Sequence, residues 1–320
     1  MIRRLTSHRK TTFFLLFTAL LLCTGLWFAY EWLEMRRGDE ALRDLLAQNH
    51  LAMEPEVTHY YVGTRRIRYV ELGHDSLPLI VFIHGAPSSS SFWTDLLLDT
   101  LLLEHAKLLA VDRPGYGYSG FGQPEVSVSK QAAYIARLLQ RKRVEHTSII
   151  LHGSSYGGTV AARIAMDYPE LVDGLLLQSA SVAPGEEKTY WISYPTSHWT
   201  LSWLMPSTIR VANAEKLSHR QQLEEMAPHW GNIRSPAIVL HGTSDELIYP
   251  TNAEYVRDKL KNALFLEVQM VKDKGHDLLW TGRKLLIRSL LKLLDPSLQK
   301  SRSLPSLSSN QMAHPLAAGQ

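Results

Sequence analysis

The sequence predicts an α/β fold with a mostly parallel central sheet and helices on both of its faces. Apolar runs of strand length alternate with segments of helical periodicity between Pro55 and Leu294, an order that is typical of such folds. The run from Leu79 to Ile83 contains no polar residue, as expected for a strand buried on both faces. Another run leads directly into a tight turn and a helix at residues 148–165.

The strands and helices are predicted in chain order from these patterns. Two strands joined by the turn Gly63-Thr64-Arg65 predict a hairpin. The predicted strands cover residues 57–62, 66–72, 79–83, 108–111, 175–177, 237–240 and 264–270, with a further strand that begins near Ser148. Helices are predicted over residues 129–141, from the tight turn to Pro169, from Ala253 onward and from Leu278 to Leu294.

The N-terminal region predicts attachment to a membrane. Residues 13–30 carry no charge, and residues 1–12 carry the basic side chains Arg3, Arg4, Arg9 and Lys10. As a helix, the uncharged run would span about 27 Å, close to the ~30 Å hydrocarbon core of a bilayer. An aromatic cluster typical of a membrane interface marks its far end, namely Trp27, Tyr30 and Trp32. We therefore predict a single transmembrane helix over residues 13–30, with residues 1–12 cytoplasmic and the domain that follows extracytoplasmic.

Two other interpretations of the N-terminal region remain open. A cleaved signal peptide would have an unusually long apolar region, and no small-x-small cleavage site precedes Glu31. A lipoprotein signal would use Cys23, but Leu22 stands where such signals have a small residue. The predicted orientation is weakened by basic residues beyond the uncharged run, which are Arg36, Arg37 and Arg43.

The rest of the chain divides by composition. Residues 31–54 are charged and predict a solvated stalk, residues 55–294 predict the α/β domain, and residues 181–234 within it predict a small helical lid. Residues 295–320 are rich in Ser and Pro without apolar periodicity and are predicted to be disordered. The net charge of +3 is too small to indicate a nucleic-acid partner. The lone cysteine, Cys23, excludes an intrachain disulfide, and the sequence does not predict the oligomeric state.

The tight turn carries the motif Gly153-x-Ser155-x-Gly157. A side chain at the apex of so sharp a turn requires a strained backbone, and its neighbours two positions away must be small so that strand and helix do not collide. The turn would then hold the Ser155 hydroxyl above the sheet, where a substrate can reach it. A plain glycine-rich turn is the alternative, and the strand before the motif and the helix after it disfavour that alternative.

A serine nucleophile needs a base to accept its proton and an acid to orient that base. Functional groups of a parallel sheet gather at the carboxyl ends of its strands, so we expect the acid and the histidine after later strands, in that order. Asp245 and His276 each follow a predicted strand, and we predict them as the acid and the base. Glu246 is the weaker candidate for the acid, and Asp277 is predicted to cap the last helix.

The tetrahedral intermediate of acyl transfer needs hydrogen-bond donors for its oxyanion. The backbone N–H of Tyr156 lies at the start of the helix after the tight turn, where it has no acceptor within the helix and the helix dipole favours an anion. The loop His84-Gly85-Ala86-Pro87, which follows the strand 79–83, is expected to supply a second donor.

Five motifs, in this order along the chain, resemble those of the α/β-hydrolase superfamily. They are His84-Gly85-Ala86-Pro87, Asp112-Arg113-Pro114-Gly115-Tyr116-Gly117-Tyr118-Ser119, the Ser155 motif, Gly242-x-x-Asp245 and Gly275-His276. The resemblance covers nearly all of residues 55–294 and is to the branch with an HGxP loop and a DRxGxGxS loop. It implies the Ala86 N–H as the second oxyanion donor, and it implies that the loop 112–119 shapes the site without carrying a catalytic group.

The branch that the chain resembles contains several chemistries. Haloalkane dehalogenases and epoxide hydrolases of this branch carry Asp as the nucleophile, so Ser155 disfavours both. Carboxylesterases, carbon–carbon bond hydrolases and proline iminopeptidases remain, although the iminopeptidases usually have Trp where this chain has Tyr156.

The predicted lid is rich in aromatic residues, which favours an apolar substrate. We predict that Trp191, Trp199 and Trp203 contact an acyl group. The alternative role for such residues is to pack the lid onto the domain.

Three histidines precede glycines at predicted strand ends, namely His84, His152 and His241. They could lie close together, but the chain has no paired-histidine helix motif. We therefore predict no metal and no cofactor.

Together these features predict a membrane-anchored serine hydrolase that cleaves a small apolar carboxylic ester through Ser155, His276 and Asp245. The alternatives are a carbon–carbon bond hydrolase or aminopeptidase of the same fold, and a binding module without catalysis. The complete set of triad residues argues against the binding module.

Overall fold

The computed structural model describes residues 14–26, 35–47, 53–186, 188–189, 191, 193–203 and 205–299. Its strands are β1 (Glu56–Val62), β2 (Arg65–Leu72), β3 (Leu79–Ile83), β4 (Lys107–Val111), β5 (Ile149–Ser154), β6 (Gly174–Gln178), β7 (Ala237–Gly242) and β8 (Leu266–Val271). They form one eight-stranded sheet in the order β1-β2-β4-β3-β5-β6-β7-β8.

Most of this sheet is parallel. β1 and β2 form the predicted antiparallel hairpin, in which Val62 pairs with Arg65, and β2 is antiparallel to β4. The strands from β4 across β3, β5, β6 and β7 to β8 are parallel. Parallel strands end at the same edge of a sheet, so the loops after β3, β4, β5, β7 and β8 meet there.

Helices cover both faces of the sheet. In chain order they are α1 (14–26), α2 (Asp39–Ala47), α3 (Thr94–Leu97), α4 (Thr100–Leu103), α5 (Val128–Lys142), α6 (Tyr156–Asp167), α7 (Ser193–Ser197), α8 (Trp199–Ser202), α9 (Ser207–Met226), α10 (Thr251–Lys259), α11 (Leu278–Thr281), α12 (Arg283–Leu293) and α13 (Pro296–Gln299). Residues of α5, α6 and α10 belong to the apolar cluster on one face, and residues of α3, α4, α11 and α12 belong to the cluster on the other.

The central strand β3 shows how the sequence pattern produces this layered core. All of its side chains are buried. Leu79, Val81 and Ile83 belong to one cluster, and Ile80 and Phe82 belong to the other, because successive side chains of a strand point to opposite faces. A strand covered on both faces therefore needs an unbroken apolar run, and the predicted α/β architecture is confirmed.

The last predicted helix differs from the structure. A single helix was expected from Leu278 to Leu294, but the structure has α11 and α12, which meet at Gly282. Glycine weakens a helix interior, and a Cβ at this position would lie 3.1 Å from the Leu278 carbonyl oxygen. The break therefore has a local cause that the apolar periodicity alone does not reveal.

The transmembrane helix predicted over residues 13–30 is not supported. Among the residues that the structure describes, no helix combines the length and the apolar character needed to cross a membrane. The helix in this region is α1, over residues 14–26, while residue 13 and residues 27–30 lie outside the described residues. The cytoplasmic placement of residues 1–12 and the extracytoplasmic placement of the domain stay predictions.

Part of the segment predicted as a stalk packs against the domain. Leu42 of α2 is buried in an apolar cluster, and the Asp39 carboxylate accepts a hydrogen bond from Arg68 Nε at 2.8 Å. The Arg36 guanidinium lies 3.8 Å from the ring centroid of Phe121. This segment therefore contacts the domain through Arg36, Asp39 and Leu42, while most of its other described residues are exposed.

Two predicted segments are described only in part. Residues 181–234 contain α7, α8 and α9, together with a 3₁₀ helix over Ala227–Asn232, and residues 187, 190, 192 and 204 lie outside the described residues. Of the tail predicted over residues 295–320, the structure describes residues 295–299, in which α13 lies.

Candidate active site

Ser155 lies at the apex of the turn between β5 and α6. Its backbone has φ 53° and ψ −124°, a conformation that costs a residue other than glycine on the order of 1–3 kcal/mol. The Ser155 N–H donates to the Gln178 carbonyl at 3.0 Å, and the Gly158 N–H donates to the Ser155 carbonyl at 2.9 Å. These bonds hold the strained turn that the motif around Ser155 implies.

The two glycines of the motif are required because β5, α6 and the end of β3 nearly touch. A Cβ on Gly157 would lie 2.1 Å from the Ile83 carbonyl oxygen, and one on Gly153 would lie 2.5 Å from the Gly157 carbonyl oxygen. A third glycine, Gly85, lies against the serine, since a Cβ there would be 3.0 Å from Ser155 Cβ. The absence of side chains at these positions brings the loop after β3 close to the serine hydroxyl.

The predicted acid and base are hydrogen-bonded to each other. His276 Nδ1 donates to Asp245 Oδ2 at 2.8 Å. The other carboxylate oxygen, Oδ1, accepts from the backbone N–H groups of Leu247 and Ile248 at 3.0 Å and 2.9 Å. These bonds fix the carboxylate, which in turn fixes the orientation and tautomer of the imidazole, so that Nε2 of the neutral ring can accept a proton.

Asp245 stays ionised although it is buried. Burial alone raises the pKa of this carboxyl group, but the hydrogen bonds from His276 and from the Ile248 backbone outweigh it. The pKa of Asp245 therefore lies below the ordinary value of 3.8. An ionised partner of this kind stabilises a positive charge on His276.

The two predicted oxyanion donors flank the serine. Tyr156 is the first residue of α6, so its backbone N–H has no acceptor within the helix. Ala86 lies in the loop that Gly85 brings against Ser155, and Ala86 and Tyr156 line the same cavity as Ser155. The structure thus brings both predicted donor residues to the cavity that Ser155 lines.

This cavity has a volume of about 560 Å³ and lies at the carboxyl edge of the sheet. Ser155 and His276 both line it. No hydrogen bond joins the Ser155 hydroxyl to His276 among the described residues, and contacts of this type commonly tighten only when substrate binds. The rest of the wall is mostly apolar and includes Pro87, Met205, Ile209, Ala212, Leu247 and Ile248, with Lys188, Lys216 and His219 among its polar members.

The structure does not place Trp191, Trp199 and Trp203, which were predicted to contact an acyl group, at this cavity. None of the three lines the cavity, and their side chains are 78%, 78% and 69% exposed. The inner side of the same segment is formed by Ser193 and Thr196. Positions three apart on the short helix α7 face the cavity, and the aromatic side chains point away from it.

Helix α9 supplies much of the wall, and the sequence analysis did not identify it. Ile209, Ala212, Lys216 and His219 all line the cavity. Their spacing of three or four residues is that of one helical face. Because two of these four residues, Lys216 and His219, are polar, the face does not appear as an apolar periodicity in the sequence.

A buried ion pair connects α9 to the loops around the serine. Arg113 donates to the Glu215 carboxylate at 2.7 Å and 3.2 Å, and both side chains are fully buried. Arg113 also donates to the carbonyl oxygens of His84 and Gly85 at 2.8 Å and 3.0 Å. The Tyr116 hydroxyl completes the network by donating to Glu215 at 2.6 Å. Arg113 is thus a positioning residue for the loop that carries Ala86.

The three histidines at strand ends bond protein groups. The Arg113 N–H donates to His84 Nε2 at 2.9 Å, His152 Nε2 lies 3.0 Å from Gln178 Oε1, and His241 Nε2 lies 2.9 Å from the Ile248 carbonyl oxygen. These contacts engage one ring nitrogen of His152 and one of His241, and both ring nitrogens of His84 are engaged, because His84 Nδ1 lies 2.7 Å from the Gly85 carbonyl oxygen.

Two buried histidines are expected to make the domain sensitive to acid. Burial lowers the pKa of His152 and of His219 to about 3, whereas unfolding returns each to about 6.5. Between these values the unfolded chain binds protons that the folded chain does not, so stability is highest above about pH 6.5 and falls as the pH is lowered. The loss is ~1.4 kcal/mol per pH unit for each histidine.

Urea denaturation between about pH 6 and about pH 4 measures this dependence. The variant His219→Phe is expected to show a shallower decline in the free energy of unfolding than the wild type. Equal slopes for the two proteins would contradict the assignment.

Comparison with known proteins agrees with this geometry. Residues 78–197 match the family described as alpha/beta hydrolase fold. The chain is 36% identical over 111 residues to the pimeloyl-[acyl-carrier protein] methyl ester esterase of Wigglesworthia glossinidia brevipalpis, a match that covers 35% of this chain and 39% of the esterase. Matches to the first curated relatives cover between 29% and 50% of those proteins' own lengths.

Solved structures show the same fold over most of the chain. A membrane phospholipase A, described as a bacterial virulence factor, superposes with a TM-score of 0.61 at 22% identity and covers 88% of this chain and 98% of its own. A 2-hydroxy-6-oxo-6-phenylhexa-2,4-dienoate hydrolase from Rhodococcus sp. strain RHA1 gives a TM-score of 0.61 at 18% identity, covering 76% and 99%. At these identities the likeness concerns the fold.

Proposed function

The chain has the α/β-hydrolase fold, and from this premise we propose that it is a serine hydrolase that cleaves carboxylic esters with an apolar acyl group. The observation that carries the proposal is the cavity shared by Ser155 and His276, with His276 bonded to the buried Asp245. A base held by an ionised carboxylate next to a serine on a strained turn is the arrangement that activates a hydroxyl nucleophile.

In the proposed reaction, His276 Nε2 accepts the hydroxyl proton as Ser155 Oγ attacks the ester carbonyl carbon. The negative charge that develops on the carbonyl oxygen is stabilised by the N–H groups of Ala86 and Tyr156. The protonated His276, stabilised by Asp245, then donates its proton to the departing alcohol, leaving an acyl group on Ser155. Water, activated by the same histidine, releases the acid and restores the free serine.

The wall of the cavity supports an apolar acyl group. Its apolar members come from the loop after β3, from Met205 in the connection before α9, from α9 itself and from the loop after β7. Apolar walls with a few convergent polar groups are typical of small-molecule sites. The nucleophile is a serine, so the proposal does not include the epoxide and haloalkane chemistries for which the resemblance implies an aspartate.

A fluorophosphonate probe tests the proposed nucleophile. We expect the purified protein to be labelled covalently, and we expect mass spectrometry to place the adduct on Ser155. The matched control is Ser154→Ala, which removes the neighbouring hydroxyl and is expected to retain the label, whereas Ser155→Ala is expected to lose it. Labelling that persists in Ser155→Ala, or no labelling of the wild type, would overturn the proposal.

A substrate panel tests the reaction class. It combines p-nitrophenyl esters of increasing chain length, an aminoacyl amide and a dienoic acid of the type cleaved by carbon–carbon bond hydrolases. The proposal predicts the highest kcat/KM for one of the esters. A higher value for the dienoic acid or for the amide would assign the site to another chemistry of the same fold.

A further inference from the structure

The segment 191–203 exposes an unusual concentration of large apolar side chains. We call these five residues the lid aromatic surface: Trp191, Tyr194, Trp199, Leu201 and Trp203. The least exposed of them is Leu201, at 41%. Outside this segment and α1, the exposed large apolar residues of the described domain are scattered singly or in pairs along the chain. Exposed apolar side chains that are concentrated in one place, unlike those scattered singly, mark sites of interaction.

The residue types of this surface fit one environment in particular. Indole and phenol rings combine an apolar body with a polar tip, and they concentrate where hydrocarbon meets water, at the level of lipid headgroups. Trp203 Nε1 donates to the Thr200 carbonyl at 2.8 Å, so this exposed indole is held by a contact with the preceding helix α8.

The charge of the segment is compatible with an anionic lipid surface. The sequence has no Asp or Glu from Thr189 to Ala214, while it contains Arg210 in that stretch and Lys188 just before it. Glu186 and Glu187 precede the segment, and Glu186 accepts a hydrogen bond from Thr251. The first acidic residue after the segment is Glu215, which is fully buried and paired with Arg113. Repulsion from lipid phosphates by carboxylates within this segment is therefore absent.

We propose that the lid aromatic surface is a contact site for the surface of a lipid bilayer. The same segment provides Ser193, Thr196 and Met205 to the wall of the cavity, so bilayer contact would place the cavity next to the lipid phase. The site is separate from the membrane helix predicted over residues 13–30. It also does not depend on the proposed hydrolysis, because binding alone defines it.

A local fluorescent probe in the full chain tests the proposal. The single cysteine is removed with Cys23→Ser, and one new cysteine is introduced by Trp199→Cys or by Trp203→Cys and labelled with the polarity-sensitive dye NBD. The vesicles contain phosphatidylcholine with phosphatidylglycerol as the minor component. We expect the emission to shift to shorter wavelength and to be quenched by lipids that carry a nitroxide, because the probe enters the headgroup region.

The matched control is Val144→Cys in the same background. Val144 is 90% exposed and precedes β5, whereas Ser155 follows it, so the two lie at opposite edges of the sheet. If the N-terminal region attached the chain to the vesicles, the probes at 144, 199 and 203 would all be affected alike. The measured quantity is therefore the difference in emission shift between positions 199 or 203 and position 144. Circular dichroism of each labelled variant checks that it is folded.

Three outcomes would overturn the proposal. The first is an unchanged spectrum at 199 and 203 with vesicles present. The second is an equal shift at 144. The third is a shift at 199 and 203 that grows with protein concentration without vesicles, which would assign the surface to self-association. A vesicle-dependent shift and quenching at 199 and 203 alone would support it.

Discussion

Replacing His276 with alanine is expected to lower kcat for ester hydrolysis by roughly 10⁴-fold or more, because His276 is the base that we propose to accept the Ser155 proton. Asp245→Asn is expected to lower kcat by roughly 10⁴-fold, since the amide favours the wrong tautomer of the imidazole. The two losses should not add in the double variant, because the residues act as one unit. Steady-state kinetics with the best ester of the panel measure these effects.

Two neighbouring acids serve as controls for this prediction. Glu246 follows Asp245 directly and is exposed, and Asp277 follows His276 directly and is also exposed. The variants Glu246→Gln and Asp277→Asn are expected to keep kcat within a few-fold of the wild type. If either control lost as much activity as Asp245→Asn, or if His276→Ala kept full activity, the assignment of acid and base would be wrong.

Replacing Glu215 with alanine is expected to lower the free energy of unfolding by ~3–5 kcal/mol, since it leaves a buried guanidinium without its counter-charge. Burial alone lowers the pKa of Arg113, and the adjacent Glu215 carboxylate more than compensates, so the pKa ends above its ordinary value and the charge is retained. Without Glu215 that compensation is lost. Urea denaturation at neutral pH measures the difference.

The matched control lies on the same helix. Glu224 forms an exposed pair with Arg220, one turn away, at 2.9 Å. The variant Glu224→Ala is expected to change the free energy of unfolding by less than about 0.5 kcal/mol, as is usual for exposed pairs. Similar losses in Glu215→Ala and Glu224→Ala would show that the buried pair has no special importance for stability.

The sheet could be predicted because each strand depends on a local apolar pattern. The runs at Leu79–Ile83 and at residues 237–240 are buried, and parallel strands covered on both faces are near-continuously apolar. The positions of Ser155, Asp245 and His276 followed from the rule that loops after parallel strands share one edge. The break at Gly282 escaped prediction because an apolar periodicity continues across it.

The contacts of the lid could not be predicted from local pattern. A glutamate on a helix normally faces solvent, and Glu215 is buried only because Arg113 approaches it from a loop 102 residues earlier in the chain. Tryptophan normally lies inside a protein, yet in the lid the inner positions belong to Ser193 and Thr196. The burial of Glu215 depends on a residue that is distant in the chain. The residues that face the cavity from α7 depend on how this short helix is oriented.

The backbone of Ser155, with φ 53°, has a consequence for how its residue type is chosen. Glycine adopts positive φ without strain, so thermodynamics alone would favour glycine at this position. The strained backbone of the serine lowers the free energy of unfolding, which for a domain is typically only ~5–15 kcal/mol. At position 155 the serine that the proposed reaction requires is therefore less favourable for stability than a glycine would be.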